Sequence, residues 1–73
     1  MTNEEWEARA KGLLKAEIKK RNLSYKQVCD LMSEMGVNES ERNFRNKIGR
    51  GKFTAVFMLQ VMEAIGSQNL ALQ

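Results

Sequence analysis

The sequence predicts an all-α domain of four helices, and three observations carry that prediction. Apolar residues recur at spacings of three and four in four separate segments. Each segment follows a Thr, Ser or Asn of the kind that caps helix N-termini, namely Thr2, Ser24, Asn38 and Thr54. Proline is absent, and apolar and charged residues make up 42% and 29% of the chain, a balance suited to a compact helical domain and not to disorder.

The first helix is expected over residues 3–21. Thr2 and Glu5 have the spacing of a capping box, in which each side chain accepts from the other residue's backbone N–H. Glu4, Glu5 and Glu7 open the helix and Lys19, Lys20 and Arg21 close it, which suits the helix dipole. Trp6, Ala10, Leu13, Leu14 and Ile18 form the apolar stripe, with Lys11, Lys15 and Lys19 opposite in water. Trp6 reads as a core anchor, in preference to a ligand or base-stacking platform. Glu17 and Arg21, four apart, are placed to pair.

Asn22 is suited to ending this helix in the left-handed conformation. Leu23-Ser24-Tyr25-Lys26-Gln27-Val28 then combines a second capping box, Ser24 with Gln27, and a hydrophobic staple of Leu23 on Val28. The second helix is expected from Tyr25 to about Met35, with Val28, Leu31, Met32 and Met35 inward and Cys29 beside them as a buried, inert thiol. Gly36 stops it, Val37 and Asn38 turn the chain, and Asn38 is expected to cap the third helix with Glu41 completing a box.

The stretch Glu41–Phe53 is the most informative. It holds five of the twelve basic residues. At about 100° per residue, Phe44 and Ile48 share one side while Arg42, Asn43 and Asn46 lie on the other, flanked by Arg45 and Lys47. Arg and Asn make bidentate contacts to guanine and adenine edges in a major groove. Gly49 and Gly51 predict a tight loop that presents Arg50 and Lys52 to phosphate. Phe53 and Thr54 open a fourth helix over Ala55–Ile65, with Phe53 expected to face Met58. This helix is apolar nearly all round, so Met58 and Met62 are candidates for a self-association surface. Gly66 ends it. Residues 1–66 make the domain, and residues 67–73 either add a short fifth turn of helix or form a C-terminal tail.

Charge is clustered. Residues 1–10 sum to −2, 11–21 to +4, 22–41 to −3, 42–52 to +5 and 53–73 to −1, giving the net +3. Two separated positive blocks suit a polyanionic partner. With no His, one Cys and one Asp, neither a metal cluster nor a nucleophile–base pair is expected, so the chain reads as a non-enzyme without a cofactor or metal. The lone Cys, and the lack of a secretory signal or membrane-spanning run, lead us to expect a cytoplasmic protein with no membrane partner.

With these elements placed, the chain resembles the Cro/cI-type (phage-repressor-like, Xre-like) helix-turn-helix domain. The likeness rests on Leu14 and Ile18, Leu23-Ser24, Lys47-Ile48-Gly49-Arg50-Gly51 and Ala64-Ile65-Gly66. More narrowly, over about residues 5–66, it resembles a group of short uncharacterised bacterial proteins. These share an early Trp, a Leu-Leu-Lys-Ala-Glu run, an Asn-Lys-Ile-x-Arg-Gly-x-Phe segment and an Ala-Ile-Gly ending. Three features depart from the repressor pattern. Tyr25 stands where a phosphate-contacting Gln is usual, Ile18 and Gly49 replace a frequent Arg–Glu pair, and the stretch from the second helix to the Arg-Gly is about three residues longer.

The resemblance implies a lambda-repressor-like fold and, with the charge placement, sequence-specific binding of double-stranded DNA by a small bacterial or phage transcriptional regulator. Arg42, Asn43, Arg45 and Asn46 would address base edges, while Lys47, Arg50, Lys52, Tyr25, Lys26 and Gln27 would hold phosphates. A homodimer on an inverted repeat is then expected. The alternative is a protein-interaction module, antitoxin-like or adaptor, gripping its partner through the apolar helix 55–65.

Overall fold

The structure is a computed structural model and describes residues 1–67. Those residues form four α-helices: α1 Asn3–Lys20, α2 Tyr25–Glu34, α3 Glu41–Arg50 and α4 Ala55–Ile65. The question of a fifth turn over residues 67–73 lies, beyond Ser67, outside the described residues.

Short-range chemistry sets most boundaries. Thr2 and Glu5 form the first capping box, Thr2 N donating to Glu5 Oε1 at 3.0 Å and Glu5 N to Thr2 Oγ1 at 3.2 Å. Ser24 and Gln27 form the second, at 2.7 and 3.1 Å. Thr54 caps α4 by accepting from Phe57 N at 3.0 Å. α1 ends as expected on Asn22, whose φ of 58° is left-handed, and Leu23 N donates back to Ile18 O. The same 6→1 closure recurs after α2, from Val37 N to Met32 O, and after α4, from Ser67 N to Met62 O.

The third cap is a correction. Ser40, not Asn38, is the N-cap of α3, accepting from Asn43 N at 3.1 Å, and no box with Glu41 forms. Val37 N closes the end of α2, and residues 37–40 follow in irregular backbone before α3 begins. The connection between α2 and α3 therefore runs through residues 35–40. Gly49 is a second correction. It and Arg50 lie inside α3, and only Gly51, with φ 66°, leaves the helix.

The core is drawn from all four helices: Leu14 and Ile18, Val28, Cys29 and Met32, Phe44 and Ile48, and Phe57, Val61, Met62 and Ile65. α2 packs against α3 and α4, and α1 against α3. Rings link the elements: Tyr25 meets Phe44 edge-on at 5.3 Å, Phe44 meets Phe57 at 5.6 Å, and Phe57 meets Phe53 at 5.6 Å. Phe57 is thus a ring partner of both Phe44 and Phe53. Burial pushes the Cys29 thiol above its ordinary pKa, and the nearby carboxylates of Glu41, Glu39 and Asp30 add to the rise.

Five residues expected inward, Trp6, Ala10, Leu13, Leu31 and Met35, lie outside the core, with Ala10, Leu13 and Leu31 half-buried. Trp6 is 53% exposed, with the Arg9 guanidinium 5.8 Å from its ring, and Met35 is 43% exposed. On α1 the buried direction is set by Leu14 and Ile18, which turns Trp6 onto a flank. Glu17, on the edge of the stripe, is buried instead. It accepts from Arg21 at 2.9 Å and from Ser67 Oγ at 2.9 Å, a polar tie between α1 and the residue after α4. The expected self-association pair fares unevenly: Met62 is buried and Met58 half-buried, while Val56 and Leu59 carry the exposed apolar surface of α4.

Candidate nucleic-acid interface

α3 is held by its inner side. Phe44 and Ile48, one turn apart, are fully buried, and they fix which residues face outward. Arg42, Asn43, Asn46, Gly49 and Arg50 are all exposed and centre on Asn46, opposite the buried pair. The outward face therefore offers two guanidiniums and two amides, with no carboxylate among them. The position of Gly49 adds no side chain, and nothing crowds it within 4 Å.

The flanking cations are more constrained than spacing alone suggests. Arg45 pairs with Glu41 at 2.7 Å, and its guanidinium also sits 5.0 Å from the Tyr25 ring centroid. Lys47 is half-buried, 2.7 Å from Glu39 Oε1 and 4.8 Å from the Phe57 ring centroid. Lys52 lies 4.0 Å from Glu7. Lys26 pairs with Asp30 at 3.2 Å. Among the described residues, Arg42 and Arg50 have no ion-pair partner. Both therefore meet an incoming anion without first surrendering a carboxylate.

One groove opens on this face, and a second is connected to α3 through Tyr25. The first is lined by Asn43, Asn46, Lys47, Arg50 and Lys52. It unites residues expected to read bases with residues expected to hold phosphate. The other runs along the α1–α2 junction and brings Tyr25 and Gln27 together with Lys15 and Lys19. Gln27 Oε1 accepts in the cap of α2, which orients the side chain and leaves its amide N–H groups to donate to a ligand. Tyr25 is held by Phe44 and covered by Arg45, which joins this groove to α3.

Spacing placed Lys15 and Lys19 in water opposite the core, and they are indeed exposed. Their nearness to the start of α2 had one signal in the sequence, the +4 block over residues 11–21. Met58 and Met62, on α4, line neither groove.

A family model described as "Domain of unknown function (DUF6471)" matches residues 6–70. The chain belongs to the DUF6471 family. The DUF6471 match begins at the exposed Trp6 and takes in α1 from that residue onward, all of α2, α3 and α4, and all the candidate interface residues. No curated protein and no solved structure matches the chain. Among the described residues, no helix is long and apolar enough to cross a membrane, and no three metal-ligating side chains of His, Cys, Asp or Glu come together.

Proposed function

We propose that this domain binds double-stranded DNA by laying α3 in the major groove, in the manner of a helix-turn-helix transcriptional regulator of the phage-repressor-like kind. The observation that carries the reading is the outward face of α3. A helix anchored by Phe44 and Ile48 turns Arg42, Asn43, Asn46 and Arg50 to solvent with no acid among them. Arg42, Asn43 and Asn46 supply the donors and acceptors that read guanine and adenine edges, and Arg50 meets phosphate beside them. The packing of α2 against α3 across a turn supports the same reading, since a helix preceding the reading helix braces it on the backbone. Lys47 and Lys52, beside Arg50, supply phosphate contacts once their carboxylate partners are exchanged. Two copies on an inverted repeat, with half-sites about one helical turn apart, would extend the short site that one domain covers.

Fluorescence anisotropy with a random-sequence duplex tests the reading. If only Arg42 and Arg50 neutralise phosphates, log K against log salt should fall with a slope of about −1.8. If Arg45, Lys47 and Lys52 also exchange their partners, the slope should approach about −4.5. Arg42→Glu with Asn46→Ala should abolish binding while leaving the helical circular dichroism unchanged. Absence of binding at low salt would remove the DNA reading.

A second reading, a protein-interaction module acting through α4, is favoured by one observation: Val56 and Leu59, three apart, are each 63% exposed. Leu59→Glu separates the two readings. It should spare duplex binding under the first and abolish partner recognition under the second.

A further inference from the structure

We propose that α1 carries a second phosphate-binding edge, formed by Lys15 and Lys19, that holds the DNA strand flanking the groove entered by α3. The inference rests on the DNA-binding reading above and adds residues to it. Lys15 and Lys19 are four apart and project from one edge of α1. Both are exposed, and among the described residues neither has an ion-pair partner. The groove they line also includes Asn22, Tyr25 and Gln27 and contains no acidic side chain. A phosphodiester entering it meets two ammonium groups and no repelling charge.

Continuity with α3 distinguishes this groove from a merely solvated lysine pair. Tyr25 forms part of the groove wall and packs against Phe44, with Arg45 above its ring at 5.0 Å. Lys15, Lys19, Tyr25 and Arg45 therefore make a cationic path from α1 onto α3. The groove containing Arg50 and Lys52 is lined by other α3 residues, including Asn43 and Asn46. Two cationic grooves are thus joined to α3, one lined by its own residues and the other connected to it through Tyr25 and Arg45. Duplex DNA has matching chemistry, two phosphate backbones bordering a major groove about 12 Å wide. One backbone would lie along the α1 edge and the other along Arg50 and Lys52.

The neighbouring Lys20 supplies the control. It is exposed on the same helix, but it lies three residues on from Glu17 and shares that edge. Anisotropy of the full chain with a random-sequence duplex, titrated over a range of salt, gives the readout. Lys19→Ala should reduce the magnitude of the salt slope by about 0.9, and Lys15→Ala with Lys19→Ala by about 1.8. Lys20→Ala should leave it unchanged, and Lys15→Arg with Lys19→Arg should retain the wild-type slope. Circular dichroism confirms that each variant keeps its helices. Equal slopes for Lys19→Ala and Lys20→Ala would overturn the edge while leaving DNA binding in place. Failure of the wild-type chain to bind the duplex at low salt would overturn both.

Discussion

A Cβ on Gly51 would run into the main-chain carbonyl of Glu7, and its φ of 66° already lies in the left-handed region. Left-handed backbone costs a residue with a side chain about 1–2 kcal/mol before any clash is counted. The carbonyl belongs to helix backbone and cannot swing aside like a flexible side chain. Gly51→Ala should therefore destabilise the domain by more than about 2 kcal/mol in urea unfolding, since α1 must move away from the end of α3. Gly49 offers the contrast. It sits within α3 with nothing near its Cβ position, so Gly49→Ala should stabilise by about 0.5–1 kcal/mol. The two glycines lie two residues apart in the sequence and look alike there. What separates them is a contact with Glu7, 44 positions away, which no local pattern contains. Trp6 makes the same point in reverse. Its spacing fits a stripe drawn through Ala10 and Leu13, yet the packed side of α1 is centred on Leu14 and Ile18, and periodicity alone does not say which edge of a broad stripe the other helices cover.

Helix ends were the most legible feature of the chain because capping is local. Thr2 with Glu5 and Ser24 with Gln27 each needed only residues three apart, and both boxes form. The third cap misled because Asn38 and Ser40 are both capping types and Glu41 stood at the right distance from Asn38. The structure decides between them: Ser40 Oγ accepts from Asn43 N at 3.1 Å, whereas the Asn38 side chain lies toward Ser33 on α2. Glu39 then turns toward Lys47 rather than entering a helix. Ser40→Ala should accordingly cost about 1 kcal/mol, a typical loss for an N-cap. Asn38→Ala should cost much less, since its side chain has only a long 3.5 Å contact with Ser33 on the exposed surface. Thermal melts of the two variants compare them directly, and a larger loss for Asn38→Ala would contradict the assigned cap. At this scale the candidate interface was also readable, because Phe44 and Ile48 alone orient α3. The pairing of Arg45, Lys47 and Lys52 was not readable in full. Arg45 meets Glu41 by helical spacing, but Lys47 and Lys52 meet Glu39 and Glu7 through the turn and through packing against α1.

Across the whole molecule, Glu17 ties the two ends of the domain together. Its carboxylate accepts from Arg21 on the same helix and from Ser67, the residue that follows the cap of α4. The pair with Arg21 was legible as an i, i+4 spacing, whereas the bond to Ser67 spans 50 positions and depends on how α4 returns to α1. The hydrogen bond from Ser67, and after it the one from Arg21, hold the Glu17 carboxyl below its ordinary value of 4.5, against the opposing effect of burial. A carboxyl whose pKa is lower in the folded chain binds fewer protons there than in the unfolded chain. Its contribution to stability is therefore complete above about pH 4.5 and is lost as the pH falls through the folded value. Other carboxylates, including Glu5 with its lowered pKa at the first cap, add to acid destabilisation in every variant, so the test must be a difference. Glu17→Gln retains an oxygen that accepts from Ser67 and Arg21 but cannot titrate. The gap in urea midpoint between wild type and Glu17→Gln should be constant from pH 7 to 5 and should shift in favour of the variant as the pH is taken from 5 to 3. Ser67→Ala leaves the carboxylate with Arg21 alone, so it should raise the Glu17 pKa and weaken the dependence without removing it. Parallel curves for wild type and Glu17→Gln down to pH 3 would show that closure of the domain at this point does not depend on the charge of Glu17.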